Sequence, residues 1–363
     1  MSQSRLPRIE RGNLSMLSNE KMTYILQDER VQDFYIKKIL ESFSSAHTPI
    51  FFKNIIEEWM ENTKPLLKAS TYIKYRNMLY SYIFPYFEDL TTEELTVECL
   101  NSFCRELLCN GGKNKQGLSS KTVSDVLSLL RSIFRYASTK GISLPCTGKE
   151  IIIKKTSHEL RVFSIREQKQ LCKYLCKNMS LKNIGILICL YTGLRVGEIC
   201  ALHWNDISLK EKTLYIHQTL QRLQNENING KKTSLILSTP KSSCSIRTIP
   251  LPDDIAVVLD NFPCKKEGYL LTGTDSCIEP RTMQNHFKHV LKEATIEETN
   301  FHTLRHTFAT RCVEAGFDIK SLSEILGHSN VNITMNRYVH PTLELKRQNM
   351  QRLSCSFASA FVE

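Results

Sequence analysis

Four side chains within residues 301–340, FHTLRHTFATRCVEAGFDIKSLSEILGHSNVNITMNRYVH, carry the chemistry needed to bind a phosphate, move a proton and attack: His302, Arg305, His328 and Tyr338. A guanidinium presents a planar fork of donors to a phosphoryl group, an imidazole titrates near neutrality, and a phenol is a nucleophile once its proton is removed. Two further cations lie upstream. TGLRVGE sets Arg195 three residues before Glu198, close enough for the carboxylate to hold the guanidinium, and TPKSS carries Lys241. Taken singly, each has a bland reading: a structural ion pair, a solvated turn lysine, helix-capping histidines, a packed tyrosine. His306 and His340 are read as support or packing, and His286 and His289 as surface or packing residues.

Three short helices must position the 301–340 group. Leu304, Phe308 and Cys312 recur at helical spacing up to Gly316, which puts His302 and Arg305 on one face near a helix start. A second helix over 319–326 ends at Gly327 and leaves His328 on the turn beyond it. A third, from about Val331, brings Tyr338 to its end before Pro341. Upstream, a capping box of Ser164 and Glu167 starts a helix, a buried helix runs from Ile184 to Tyr191, and strands are expected over 213–223, 233–238 and 245–251. Lys241 then falls at the tip of a hairpin between the last two strands. GKKT at 230–233 lacks the spaced glycine and following helix of a phosphate loop.

The rest of the chain divides by pattern. Residues 1–50 form an extension, helical from Met22 to Phe43; residues 51–140 read as a compact all-α domain; 141–162 is a basic linker; 163–345 holds the candidate chemistry; and 346–363 is an apolar tail. The net charge is +11, and the excess is concentrated: residues 151–250 carry 16 Lys and Arg against 6 Asp and Glu. Such a block suits a polyanionic partner or a solvated helix-rich surface, and charge alone does not choose between them. No apolar run reaches membrane-spanning length and the N-terminus lacks a signal-peptide centre, so a cytoplasmic protein is expected. Thirteen cysteines without a C-x-x-C pair read as reduced thiols in the core.

In order along the chain, TGLRVGE, TPKSS with SIRTIPLP, HTLRH, LGHSN and NRYVH closely resemble the tyrosine recombinase (phage integrase) family, most like integrases of mobile elements. The resemblance spans about residues 52–345 by domain order, and five motifs in sequence make it specific. It implies a mainly α fold with a small antiparallel β-sheet, in which a helical core-binding domain and a mixed α/β catalytic domain close as a C-shaped clamp on double-stranded DNA. It further implies that Tyr338 is the nucleophile forming a 3′-phosphotyrosyl link, that Arg195 and Arg305 hold non-bridging phosphate oxygens, and that His328 donates to a phosphate oxygen. His302 takes the position assigned to proton transfer, and Lys241 that of general acid to the 5′-oxygen. No cofactor or metal is implied. The partners implied are DNA and a homotetramer on paired sites, with a monomer allowed when free, accessory directionality proteins, and a tail exchanged between subunits. The readings set against this are a type IB topoisomerase-like enzyme and an inactive DNA-binding regulator.

Overall fold

The computed structural model describes residues 49–112, 114–154, 160–225, 232–239, 243–263, 267–339, 347 and 350–351. The helix expected over Met22–Phe43 and the apolar segment beyond 351 lie outside them. The chain divides between residues 156 and 157 into two compact units.

The first unit is helical: α1 (Phe52–Thr63), α2 (Ala69–Met78), α3 (Phe84–Phe87), α4 (Val97–Asn110) and α5 (Ser120–Thr139). The hydroxyls of Thr96 and Ser119 accept from the backbone N–H groups of Cys99 and Thr122, which fixes where α4 and α5 begin. Helical spacing through Tyr72, Tyr75, Leu79 and Ile83 runs to Pro85, which as a proline should close that helix. Instead it lies in the first turn of α3, and the preceding residues Leu79–Ile83 are wound as a π-turn. The wider turn leaves room for the pyrrolidine ring, which would otherwise press on the carbonyl four residues back.

The core of this unit is aromatic. Phe87 packs on Phe103 (ring centroids 4.7 Å) and on Phe52 (5.9 Å), and Phe52 packs on Phe134 (5.5 Å). The first part of the expected linker is built into this unit: Cys146 and Ile151 are buried, and Arg131 of α5 donates to the carbonyls of Gly148 and Ile151, each at 2.8 Å.

The second unit wraps helices around one buried helix. α6 (Ile165–Lys177) starts at the Ser164–Glu167 capping box, and α7 (Leu181–Thr192) is enclosed almost completely before the chain turns at Gly193 with φ +67°. After α8 (Val196–Ala201) come β1 (Ile207–Ser208), β2 (Thr213–Ile216), β3 (Thr219–Gln224), β4 (Thr233–Ser238) and β5 (Arg247–Pro250). These make two antiparallel sheets, β1-β2-β5 and β3-β4.

The strand expected over 213–223 is therefore broken at His217-Gln218, where the chain leaves one sheet for the other. β4 and β5 are not a hairpin either: β4 pairs with β3 and β5 with β2, so the segment between them crosses from sheet to sheet. Lys241 itself lies outside the described residues. α9 (Asp253–Asn261) and α10 (Pro280–Glu293) lead to α11 (His302–Glu314), α12 (Ile319–Leu326) and α13 (Val331–Tyr338). No helix among the described residues is long and apolar enough to cross a membrane.

Because Phe87 touches three aromatic neighbours and is fully buried, Phe87→Ala leaves a cavity that backbone relaxation cannot close. Denaturant unfolding of the full chain should show a loss of about 3–5 kcal/mol in the first unit, against no change in the second.

Candidate active site

The site forms where the end of α12 meets the starts of α8 and α11. The last carbonyls of any α-helix lack partners within the helix and form the negative end of its dipole. In α12 two of them are closed by the chain itself: Gly327 N–H donates to Glu324 O at 2.9 Å, and His328 N–H donates to Ser323 O at 3.0 Å. Gly327 makes this turn at φ +64°. The next three carbonyls each receive an arginine. Arg247 Nε donates to Ile325 O at 2.5 Å, Arg305 Nη2 to Leu326 O at 2.7 Å, and Arg195 Nη2 to Gly327 O at 3.2 Å.

Each guanidinium is tied down a second time. Arg305 Nη1 donates to Gly193 O at 2.8 Å, the carbonyl at the left-handed end of α7. Arg195 and Arg247 share Glu198: Arg195 Nη1 donates to Oε1 at 2.7 Å, and Arg247 Nη2 donates to Oε2 at 3.0 Å. Glu198 is 3% exposed and Arg305 1%, whereas the Arg195 side chain is 36% exposed and forms the open edge of the cluster. Burial opposes ionisation of Glu198, but the charges and hydrogen bonds of Arg247 and Arg195 outweigh it and hold its carboxyl below the ordinary value of 4.5. Burial, with Arg195 nearby, pushes Arg305 down to about 9, so it remains a cation at neutral pH.

Three imidazoles and the phenol surround these cations. His328 Nδ1 pairs with the buried Thr334 hydroxyl at 2.8 Å, which orients the ring just beyond the α12 cap. His302, at the first turn of α11, keeps an exposed edge and packs edge to face on His306, with ring centroids 4.6 Å apart. His306 lies one turn further along α11, and its Nδ1 is 2.9 Å from the hydroxyl of Tyr338 at the end of α13. Burial first, then neighbouring cations and in His302 also the His306 ring, push His302 and His306 down to about 4 and His328 to about 3. Burial raises the Tyr338 phenol above its ordinary 10, against the pull of Arg305 and Arg337.

Arg195, His302, Arg305, His328 and Tyr338 are thus brought together. Sequence reasoning passed over one member of the cluster, Arg247, and read another, His306, as support or packing. Arg247 had a readable signal, since it shares the inward face of β5 with Ile249, where an arginine requires a buried partner. His306 stands four residues from His302, on the same helical face.

The sequence pattern of the phage integrase family matches residues 159–344, and that of the phage integrase N-terminal SAM-like domain matches residues 51–108. The chain belongs to the phage integrase family. This integrase-family chain, a site-specific tyrosine recombinase, is 28% identical to a XerC-like tyrosine recombinase of Caldanaerobacter subterraneus, over 91% of its own length and 89% of the relative's. It is 21% identical to the ICEBs1 integrase of Bacillus subtilis, covering 80% of this chain and 79% of that one. Its fold is that of the Tn1549 transposon integrase solved with circular-intermediate DNA (TM-score 0.68, 18% identity, 84% of this chain and 99% of that one). It also matches a lambda integrase fragment solved as a dimer on a core site (TM-score 0.59, 16% identity, 78% and 94%).

Glu198→Gln removes the carboxylate that Arg195 and Arg247 share and leaves Arg247 charged and buried. Unfolding at pH 7 should show a loss of about 3–5 kcal/mol. Because the folded carboxyl ionises below 4.5, its stabilisation is complete above that value and is lost as pH falls through the lowered folded pKa. The gap between wild type and variant should therefore close in acid, as checked by denaturant titrations across pH.

Proposed function

We propose that this recombinase cuts and rejoins duplex DNA through a covalent bond between Tyr338 and a 3′-phosphate, and that it integrates or excises a mobile genetic element. The observation that carries this is the Tyr338 hydroxyl held by His306 and beside Arg305, one of a cluster of three guanidiniums of which two share the carboxylate of Glu198. Such a cluster has a surplus of positive charge that a phosphodiester would complete. The transition state of phosphoryl transfer carries further negative charge on the non-bridging oxygens, where fixed cations act most strongly. Arg195, as the open edge, and Arg305, behind it, bear on those oxygens, and His328 donates to one of them. Neutral at rest, its ring has one N–H to give, and Thr334 fixes which way it faces.

Tyr338 Oη attacks phosphorus as its proton passes to an imidazole of α11, the bond to the 5′-oxygen breaks, and that oxygen takes a proton from Lys241, in the segment that joins β4 to β5. The 3′-phosphotyrosyl bond keeps the energy of the broken linkage, so resealing by another 5′-hydroxyl needs no nucleotide. The first unit acts as the core-binding domain, and cations spread over its helices contact the phosphate backbone. A homotetramer on paired sites, with the C-terminal tail packed on a neighbouring subunit, completes the reading. Similarity to the ICEBs1 integrase, together with the fold shared with the Tn1549 transposon integrase, supports mobile-element recombination.

A nicked suicide substrate carrying an element end should trap wild-type protein as a covalent adduct on a denaturing gel, and Tyr338→Phe should give none while still binding DNA. DNA binding without an adduct on any element end would favour a regulator, and an adduct that survives Tyr338→Phe would mean a different nucleophile.

A further inference from the structure

α11 carries two imidazoles on one face, and the family resemblance places proton transfer on the first of them, His302. The ring that touches the nucleophile is the second. His306 Nδ1 lies 2.9 Å from Tyr338 Oη, and both side chains are buried. We propose that His306 takes the phenolic proton as Tyr338 attacks, and returns it when the strand is resealed. The proposal rests on the strand-transfer reading above.

The charges around this hydrogen bond permit the tautomer in which the phenol donates to the ring. His306 is uncharged at neutral pH, since burial and the nearby Arg337 and Arg305 push its pKa down to about 4. Tyr338 is protonated, since burial raises its phenol. A neutral imidazole has one N–H and one lone pair. With the phenol donating, the lone pair sits on Nδ1 and the ring hydrogen on Nε2. The resting site already holds the proton acceptor in line with the nucleophile, within the reach a general base requires.

The step balances. The Oη–P bond forms and the P–O5′ bond breaks; the phenolic proton passes to His306 Nδ1, and the 5′-oxygen receives one from the general acid. The imidazolium left behind stands near Arg305 and Arg337, beside the neutral His302 ring, so it is disfavoured until a phosphate brings negative charge into the site. Proton removal is thereby tied to the presence of DNA, and the free protein keeps its nucleophile protonated. In the reverse step the 5′-hydroxyl attacks phosphorus and His306 gives its proton back to Tyr338. His302, packed edge to face on His306, sets the orientation of that ring.

The test is the single-turnover rate of adduct formation on the nicked substrate for wild type, His306→Asn, His306→Ala and His302→Ala. Asparagine places Oδ1 near the position of Nδ1, so it keeps an acceptor for the phenol but cannot carry the proton away. Both His306 variants should lose about 10²–10⁴-fold in rate, with DNA affinity and melting temperature close to wild type for His306→Asn. Added imidazoles should restore the His306→Ala rate in proportion to their basicity. A His306→Asn rate within about threefold of wild type, far less than general-base loss, would overturn the proposal by reducing the ring to a support for the phenol. So would a loss confined to His302→Ala. No adduct with wild type would remove the strand-transfer reading as well, whereas a wild-type adduct with undiminished His306→Asn removes this inference alone.

Discussion

Three guanidiniums will not gather of their own accord, and the end of α12 is what gathers them. Its carbonyls at Ile325, Leu326 and Gly327 accept from Arg247, Arg305 and Arg195 in turn, at the negative pole of the helix. Hydrogen bonds from charged donors contribute about 1.5–3 kcal/mol each, enough to offset mutual repulsion when each cation has two or more such bonds. The arrangement depends on Gly327. A Cβ there would stand 3.0 Å from Arg247 Nη1, and the φ of +64° would be strained for any other residue. Helix, glycine turn and arginine cluster are one construction, and the positions of His328 and Tyr338 follow from it.

The cluster in turn sets the protonation of everything near it. A single buried carboxylate, Glu198, answers three arginines. Burial and the surplus positive field together keep the three imidazoles neutral, and burial keeps the phenol protonated against the pull of the nearby arginines. The resting site is chemically quiet for the same reason it is suited to a phosphodiester: the missing charge is the substrate's. Binding DNA supplies the anion that makes an imidazolium tolerable here, while the arginines beside Tyr338 favour a phenolate-like oxygen.

Much of this was legible in the sequence. Helices α12 and α13 begin at the side-chain caps Asp318 and Asn330, and α12 stops at Gly327; local signals of this kind survive because they act within one turn. What was not legible depended on pairing across the chain. The run from 213 to 223 holds no Gly or Pro to mark a boundary, yet the chain changes sheets inside it, because the partner of β2 is β5 and that of β3 is β4. The same exchange turns the expected hairpin around 241 into a crossover. The place of Arg247, and the contact that takes His306 beyond support or packing, depend on partners 49 and 32 residues away, Glu198 and Tyr338.

The central claim is that this pocket works by its fixed positive charge on the non-bridging oxygens. The direct measurement compares wild type with Arg195→Ala on two nicked substrates, one with an ordinary scissile phosphodiester and one with a methylphosphonate that lacks the negative charge. If the claim is right, Arg195→Ala loses about 10²–10³-fold in adduct rate on the phosphodiester, as expected for removal of one such stabilising group, and most of that loss disappears on the methylphosphonate. An equal loss on both substrates would contradict it, because Arg195 would then be shaping the site rather than answering the charge.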